Sequence, residues 1–143
     1  MGDINNGNES LIDRAKKLMA DSGLTSALAD MVERKRGGLG FLLSMLRKRP
    51  RAFNPFIIRG VCLYNEPEAL DRKTAELVAV SAASALRCEH CLEAHMARAV
   101  KEGATMDEVM DTLLISGAIA DSSTLSIALR KYRQLEGKLE KSG

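Results

Sequence analysis

The sequence predicts an all-α fold, a compact helical bundle of about seven or eight helices. Apolar residues recur at helical spacing along nearly the whole chain, and no segment alternates cleanly with period two. Gly, Pro and capping residues cut the chain into pieces of helix length. The 143 residues suit one domain and bury roughly two-thirds of the unfolded chain's surface.

The elements follow in order. "ESLIDRAKKLMADSG" reads as a helix from Ser10 to Asp21, closed by Gly23. "TSALADMVERKRGG" reads as a second, ended by Gly37 and Gly38, and "FLLSMLRKRP" as a short third that stops before Pro50. "NPFIIRGVCLYNEP" places Asn54 as a cap, Pro55 at the first helical position and a stop near Pro67. Cys62 falls on this apolar helix and reads as a small core residue. "LDRKTAELVAVSAASAL" starts from an Asp71 cap, and "CEHCLEAHMARAVKEG" runs to a Gly103 cap. "TMDEVMDTLLISGAIA" opens with a capping box between Thr105 and Glu108. "DSSTLSIALRKYRQLEGKLEKSG" is a last, separate helix. The expected organisation is a disordered stretch 1–9, an N-terminal helical extension 10–50, the main helical domain 51–138 and a frayed tail 139–143.

Composition excludes several classes. The net charge is +2 and aromatics are 3% of residues, so neither a basic footprint nor base-stacking platforms point to nucleic acid. The basic runs "ERKRGG" and "RKRPR" read as solvated helix ends, where cations suit the C-terminal dipole. No apolar run reaches the ~18 residues of a membrane span, and "MGDINNGNES" has no secretory h-region. The expectation is a cytoplasmic protein with no membrane partner. In that compartment a close cysteine pair works as a catalytic or metal-binding element more often than as a staple.

That pair lies in "RCEHCLEAH", which gathers two of the chain's three cysteines and both of its histidines. Cys91 is followed by Leu92, so the c-type haem pattern fails. Structural zinc calls for a second ligand pair that the chain lacks, which leaves a zinc-binding or redox-sensing module as an alternative. Redox chemistry requires less: two cysteines three apart at a helix start can close a disulfide, and a helix N-terminus favours thiolate. His95, four residues after Cys91, falls one turn on and on the same face. Cys88 and His95 are about 10 Å apart along a helix axis, so His95 belongs with Cys91. His90 points to another side, and its spacing does not assign it a task.

Glu76 followed by eleven residues, then Cys88-x-His90-Cys91-x-x-x-His95, resembles the AhpD-like alkyl hydroperoxidases within the carboxymuconolactone decarboxylase family. The likeness runs at least from Asn54 to Ala120, including "ALD" before the Glu76 helix and "KEGAT-x-x-E" after the cysteine helix. It implies an all-helical homo-oligomer, a trimer or hexamer, acting in antioxidant defence as a thiol-dependent peroxidase or disulfide reductase. It implies Cys91 as the reactive thiol, Cys88 as the resolving thiol, and Glu76 and His95, linked by water, as a proton relay with His90 beside Cys88. It implies a hydroperoxide or disulfide substrate, no tightly bound cofactor, and an external dithiol reductant of thioredoxin-like or lipoyl type. A carboxymuconolactone decarboxylase-like enzyme is the alternative within the family.

The relay sets a structural condition. Asp71 to Gly103 holds no internal Gly or Pro, and on one straight helix Glu76 would lie about 22 Å from Cys91. Proton transfer needs hydrogen-bond reach or one bridging water. The helix must therefore break between Glu76 and Cys88, and the expected place is Ser84 to Arg87, with Ser84 competing for backbone.

Overall fold

A computed structural model describes residues 9–142. It is helical without strands among them: α1 (Leu11–Ala20), α2 (Ser22–Arg36), α3 (Gly40–Leu46), α4 (Pro50–Gly60), a π-helical turn (Val61–Asn65), α5 (Arg72–Ala85), α6 (Glu89–Lys101) and α7 (Met106–Ser142). The all-α expectation holds. The expected disorder of 1–9 falls almost wholly outside the described residues; Glu9, at their edge, pairs with Lys17 at 2.8 Å. The chain divides into two compact units, one ending at Asn65 and the other beginning at Glu66.

In the first unit, α2, α3 and α4 bury Ala29, Val32, Leu43, Phe53 and Ile57 against one another, and α1 adds no buried residue of its own. Asp21 ends α1 and also caps α2, its Oδ1 accepting from the amide of Leu24 at 2.6 Å. Gly23 therefore lies inside α2 rather than closing α1. Asn54 departs further from its expected place. Pro50, with its φ already set for a helix, starts α4 five residues earlier, and Asn54 becomes a fully buried residue inside the helix. Its Oδ1 faces Thr25 Oγ1 at 2.8 Å, and its Nδ2 donates to the carbonyls of Met19 and Asp21, both at 3.1 Å. The amide that suits an N-cap by local chemistry instead ties α4 to the α1–α2 junction, donating to the Met19 carbonyl near the end of α1 and to an Asp21 carbonyl that also accepts from the Thr25 amide. Cys62, on the π-helical turn, is an exposed free thiol and not a core residue; the wider turn removes it from the face that α4 buries.

In the second unit α5 packs against both α6 and α7. Asp71 caps α5 as expected, accepting from the amide of Thr74 at 2.9 Å. The core here is made of small residues: Ala75, Val80, Ala83, Ala99, Ala104 and Val109. Small side chains let helix backbones approach closely, so polar side chains of modest length can meet across the α5–α6 seam. The capping box forms, with Thr105 N–H on Glu108 Oε2 at 2.8 Å and Glu108 N–H on Thr105 Oγ1 at 3.1 Å. Lys73 of α5 donates to the other Glu108 oxygen at 2.7 Å.

The helix opened by that box does not stop at Ala120. Asp121, the first residue of the stretch read as a separate last helix, sits mid-helix, and Thr124 bonds back to the carbonyl of Ala120 at 2.9 Å. The backbone ladder continues because nothing between Met106 and Ser142 removes a donor; the chain has no Pro there, and Gly117 and Gly137 are tolerated. Joining the two pieces changes a second expectation. Thr112 to Leu129 carries Asp121 as its single charge, so α7 is long and apolar enough to cross a membrane by length and composition.

Candidate active site

The break between Glu76 and Cys88 is present, and its bonding pattern explains it. The amide of Cys88 bonds the carbonyl of Ala83, and the amide of Arg87 bonds that of Ser84, both at 3.0 Å. These are the paired 6→1 and 5→2 bonds of a Schellman motif, with Arg87 at the left-handed position. Arg87 has φ +55°, alone among the non-glycine residues described. The same motif closes α6, where Gly103 takes the left-handed position at φ +94° and Ala104 N–H reaches Ala99 O at 2.9 Å. Ser84 contributes its carbonyl. Arg87, in a conformation that suits glycine, makes the turn.

After the turn Cys88 is the N-cap of α6, its carbonyl accepting from the amide of Leu92 at 2.8 Å. Cys91 follows one turn later. The two are disulfide-bonded, with Cα atoms 5.3 Å apart. Both are partly buried, while His90 between them is exposed.

The reversal of direction brings α5 and α6 side by side. Glu76, 2% exposed, meets His95, and Oε2 lies 2.7 Å from Nδ1. The contact is direct, where the family likeness implies a bridging water. Expected site residues Glu76 and His95 are thus brought together, Cys88 and Cys91 are joined one turn before His95 on α6, and His90 stands apart from the cluster.

Arg98 completes the group and was not singled out in the sequence. Its Nε donates to Glu76 Oε1 at 3.0 Å, and its Nη2 lies 2.7 Å and 3.3 Å from the two ring nitrogens of His95. One signal for it was legible: Arg98 is three residues after His95, so both share a helix face. Burial raises the Glu76 pKa, but the His95 hydrogen bond and the Arg98 charge together outweigh it, and the carboxyl is held below the usual range. Among the described residues, no three His, Cys, Asp or Glu side chains converge as metal ligands do.

A family model described as "Carboxymuconolactone decarboxylase family" matches residues 56–132, more than half of the chain. The chain belongs to the carboxymuconolactone decarboxylase family. The matched stretch contains the turn, both cysteines, Glu76, His95 and Arg98. The chain is also similar to "Uncharacterized protein 4 in cox locus" of Paracoccus denitrificans, at 38% identity over 48 residues, covering 34% of this chain and 43% of that protein. The aligned region thus spans less than half of that relative's length. No solved structure matches the chain.

Proposed function

We propose that the chain is a thiol-dependent oxidoreductase that reduces hydroperoxides or disulfides through Cys91 and Cys88. The observation that carries this is the Cys88–Cys91 disulfide at the start of α6, one turn before a histidine hydrogen-bonded to a buried carboxylate.

With peroxide, the Cys91 thiolate attacks one peroxide oxygen. The S–O bond forms, the O–O bond breaks, and alkoxide leaves with the electron pair, taking a proton to become the alcohol. Sulfur loses two electrons and stands as sulfenic acid. The Cys88 thiolate, its proton given up to the sulfenic oxygen, attacks Cys91 sulfur and releases water, closing the disulfide. An external dithiol of thioredoxin-like or lipoyl type reopens it in two exchange steps and is itself oxidised. With a disulfide substrate, Cys91 attacks sulfur instead and the rest of the cycle is shared.

Glu76 and His95 support the proton steps. A carboxylate accepts and does not donate, so the hydrogen on Nδ1 goes to Glu76 Oε2. That leaves Nε2 as the basic nitrogen of the ring. His95 acts on Cys91 and not Cys88 in this reading, because only Cys91 is four residues before it. The helix dipole favours Cys88 by ~1 kcal/mol. A positioned acid–base partner contributes a 10²–10⁴-fold rate effect, about 3–5 kcal/mol, and the larger effect decides for Cys91. The family likeness puts His90, exposed in this structure, next to the resolving thiol, and no proton step is assigned to it.

The working form is a cytoplasmic homo-oligomer, a trimer or hexamer, in antioxidant defence, without nucleic-acid or membrane partners and without a tightly bound cofactor. Decarboxylation of a lactone is the competing reading within the family, and the cysteine pair has no part in it. The test is thiol mass spectrometry of the reduced protein before and after one equivalent of hydroperoxide, then with thioredoxin or a dihydrolipoyl compound. The reading expects a Cys88–Cys91 disulfide that the dithiol reverses. It further expects Cys88→Ser to react once and leave a trappable sulfenic acid on Cys91. Thiols left unchanged by hydroperoxide, and equally by a disulfide oxidant such as oxidised thioredoxin used in its place, would overturn it.

A further inference from the structure

We propose that Arg98 is the positioning residue of the Glu76–His95 pair, fixing the Glu76 carboxylate in place so that one defined oxygen takes the His95 Nδ1 hydrogen. This rests on the reading of Glu76 and His95 as a proton relay, and adds to it a member from the second turn of the same helix face.

Glu76 is 2% exposed, and a carboxylate so buried is ionised only if it is paired and hydrogen-bonded. His95 supplies one hydrogen bond, and a charge only when it is protonated. Arg98 brings a charge that does not titrate, on a planar fork whose nitrogens only donate. Its Nε takes Oε1 at 3.0 Å and leaves Oε2, 2.7 Å from Nδ1, for the imidazole. One carboxylate is thereby divided between two partners, an oxygen for each.

The second nitrogen of the fork fixes the ring. Nη2 is 2.7 Å from Nδ1 and 3.3 Å from Nε2. An atom within reach of both ring nitrogens is off the in-plane axis of each, so Arg98 abuts the ring itself and limits its rotation. Nδ1 is then equally close to a nitrogen that only donates and an oxygen that only accepts. A hydrogen on Nδ1 therefore goes to Oε2, the accepting one of these two neighbours.

The groups that bear on Glu76 are His95 and Arg98, both from α6. On α5 itself, Lys73 is one turn away and engaged with Glu108, the charged residue that α7 turns toward α5. Removing Arg98 takes away both a charge and a hydrogen bond that favour the carboxylate. Glu76 then takes up its proton at a higher pH, and His95 loses its acceptor there.

The experiment compares wild type, Arg98→Met and Arg98→Lys, each checked for retained helicity. Two readouts are followed against pH: the single-turnover rate of the reduced protein with hydroperoxide, and the Glu76 side-chain carboxyl ¹³C shift, assigned through Glu76→Gln. Expected for Arg98→Met is an acid limb and a ¹³C midpoint both displaced upward by roughly one pH unit or more, with a rate loss at neutral pH of about 10–100-fold. Arg98→Lys, which keeps the charge and loses the fork, restores the midpoint but not the rate. In a Glu76→Gln background Arg98→Met changes the rate little, and this arm also serves if the single variant unfolds, since no unpaired carboxylate is then buried. A Glu76 midpoint unmoved in Arg98→Met, or a full additive rate loss in the Glu76→Gln background, overturns the inference. A wild-type protein inert to hydroperoxide overturns the proposed function instead, and the ¹³C titration still tests Arg98.

Discussion

Arg87 is the residue on which the site turns, and it occupies a place that suits glycine. A left-handed non-glycine residue is disfavoured by roughly 1–2 kcal/mol, while glycine loses about 0.5–1 kcal/mol more in backbone entropy on folding. Arg87→Gly is therefore expected to be neutral to stabilising by up to about 1 kcal/mol, read as the denaturation midpoint, and to leave the disulfide chemistry intact. A β-branched replacement such as Arg87→Val is expected to destabilise, since its Cβ crowds the same turn.

Asn54 offers a second test at this scale. Its amide is fully buried and its three hydrogen bonds reach Thr25, Met19 and Asp21. Asn54→Leu takes the side-chain donor from the Met19 carbonyl and one bond each from the Thr25 hydroxyl and the Asp21 carbonyl, which keep each other, and is expected to cost about 1–3 kcal/mol in urea denaturation. Glu76 gives the pH dependence. Its folded pKa is lower than its unfolded one, so its contribution is fully present above the unfolded value and is lost as pH falls through the folded value. That window begins at about pH 4.5, the unfolded value, and extends below it. Wild type should lose stability there more steeply than Glu76→Gln, in denaturant melts taken at several pH values between neutral and acid.

At the scale of elements, the α5–α6 seam depends on alanine. Ala99 is 0% exposed and packs in one cluster with Ala104 and Val109. Ala99→Leu forces extra atoms into that cluster and is expected to cost about 1–3 kcal/mol. It should also lower the turnover rate, because a wider seam pulls His95 off a carboxylate 2.7 Å away. Thr105→Ala, which removes one half of the capping box, should cost about 1 kcal/mol and spare activity. A rate loss in Thr105→Ala equal to that in Ala99→Leu would mean that general destabilisation, not seam width, explains both.

At the scale of the whole molecule, each unit has its own buried cluster, and α7 carries apolar side chains that the chain itself does not cover. Leu114, Ile115, Ile119, Leu125, Leu129 and Leu135 are each about half exposed or more. Isolated surface leucines are ordinary, but a run of them along one helix marks a surface that associates. The oligomer of the proposed function is expected to use this surface. Sedimentation of wild type at micromolar concentration should give more than one chain per particle, and Ile119→Glu with Leu129→Glu should reduce that number. A wild-type monomer in detergent-free buffer would refute the assembly. Recovery of wild type only with membranes or detergent would instead assign the apolar length of α7 to a bilayer.

The sequence by itself determined the helical class, the Asp71 cap, the Thr105–Glu108 box and the spacing that lets Cys88 and Cys91 close a disulfide. Each of these depends on residues within about one helical turn of one another, where local geometry is nearly invariant. It also required a break before Cys88, since a relay cannot operate along a straight rod. Only the tertiary structure decided where that break lies and what else it gathers. Arg87 does not announce a left-handed turn as glycine would. Asp121 has the chemistry of a cap but lies in an unbroken ladder, so one long helix stands where two were read. Arg98 and Asn54 owe their roles to partners on other helices, Glu76 for the one and the end of α1 for the other. A side chain's hydrogen-bonding capacity is written in its type. Which of its possible partners it meets depends on the packing that brings distant helices together, and for Arg98 that packing depends on one turn at Arg87 and a seam lined with alanine.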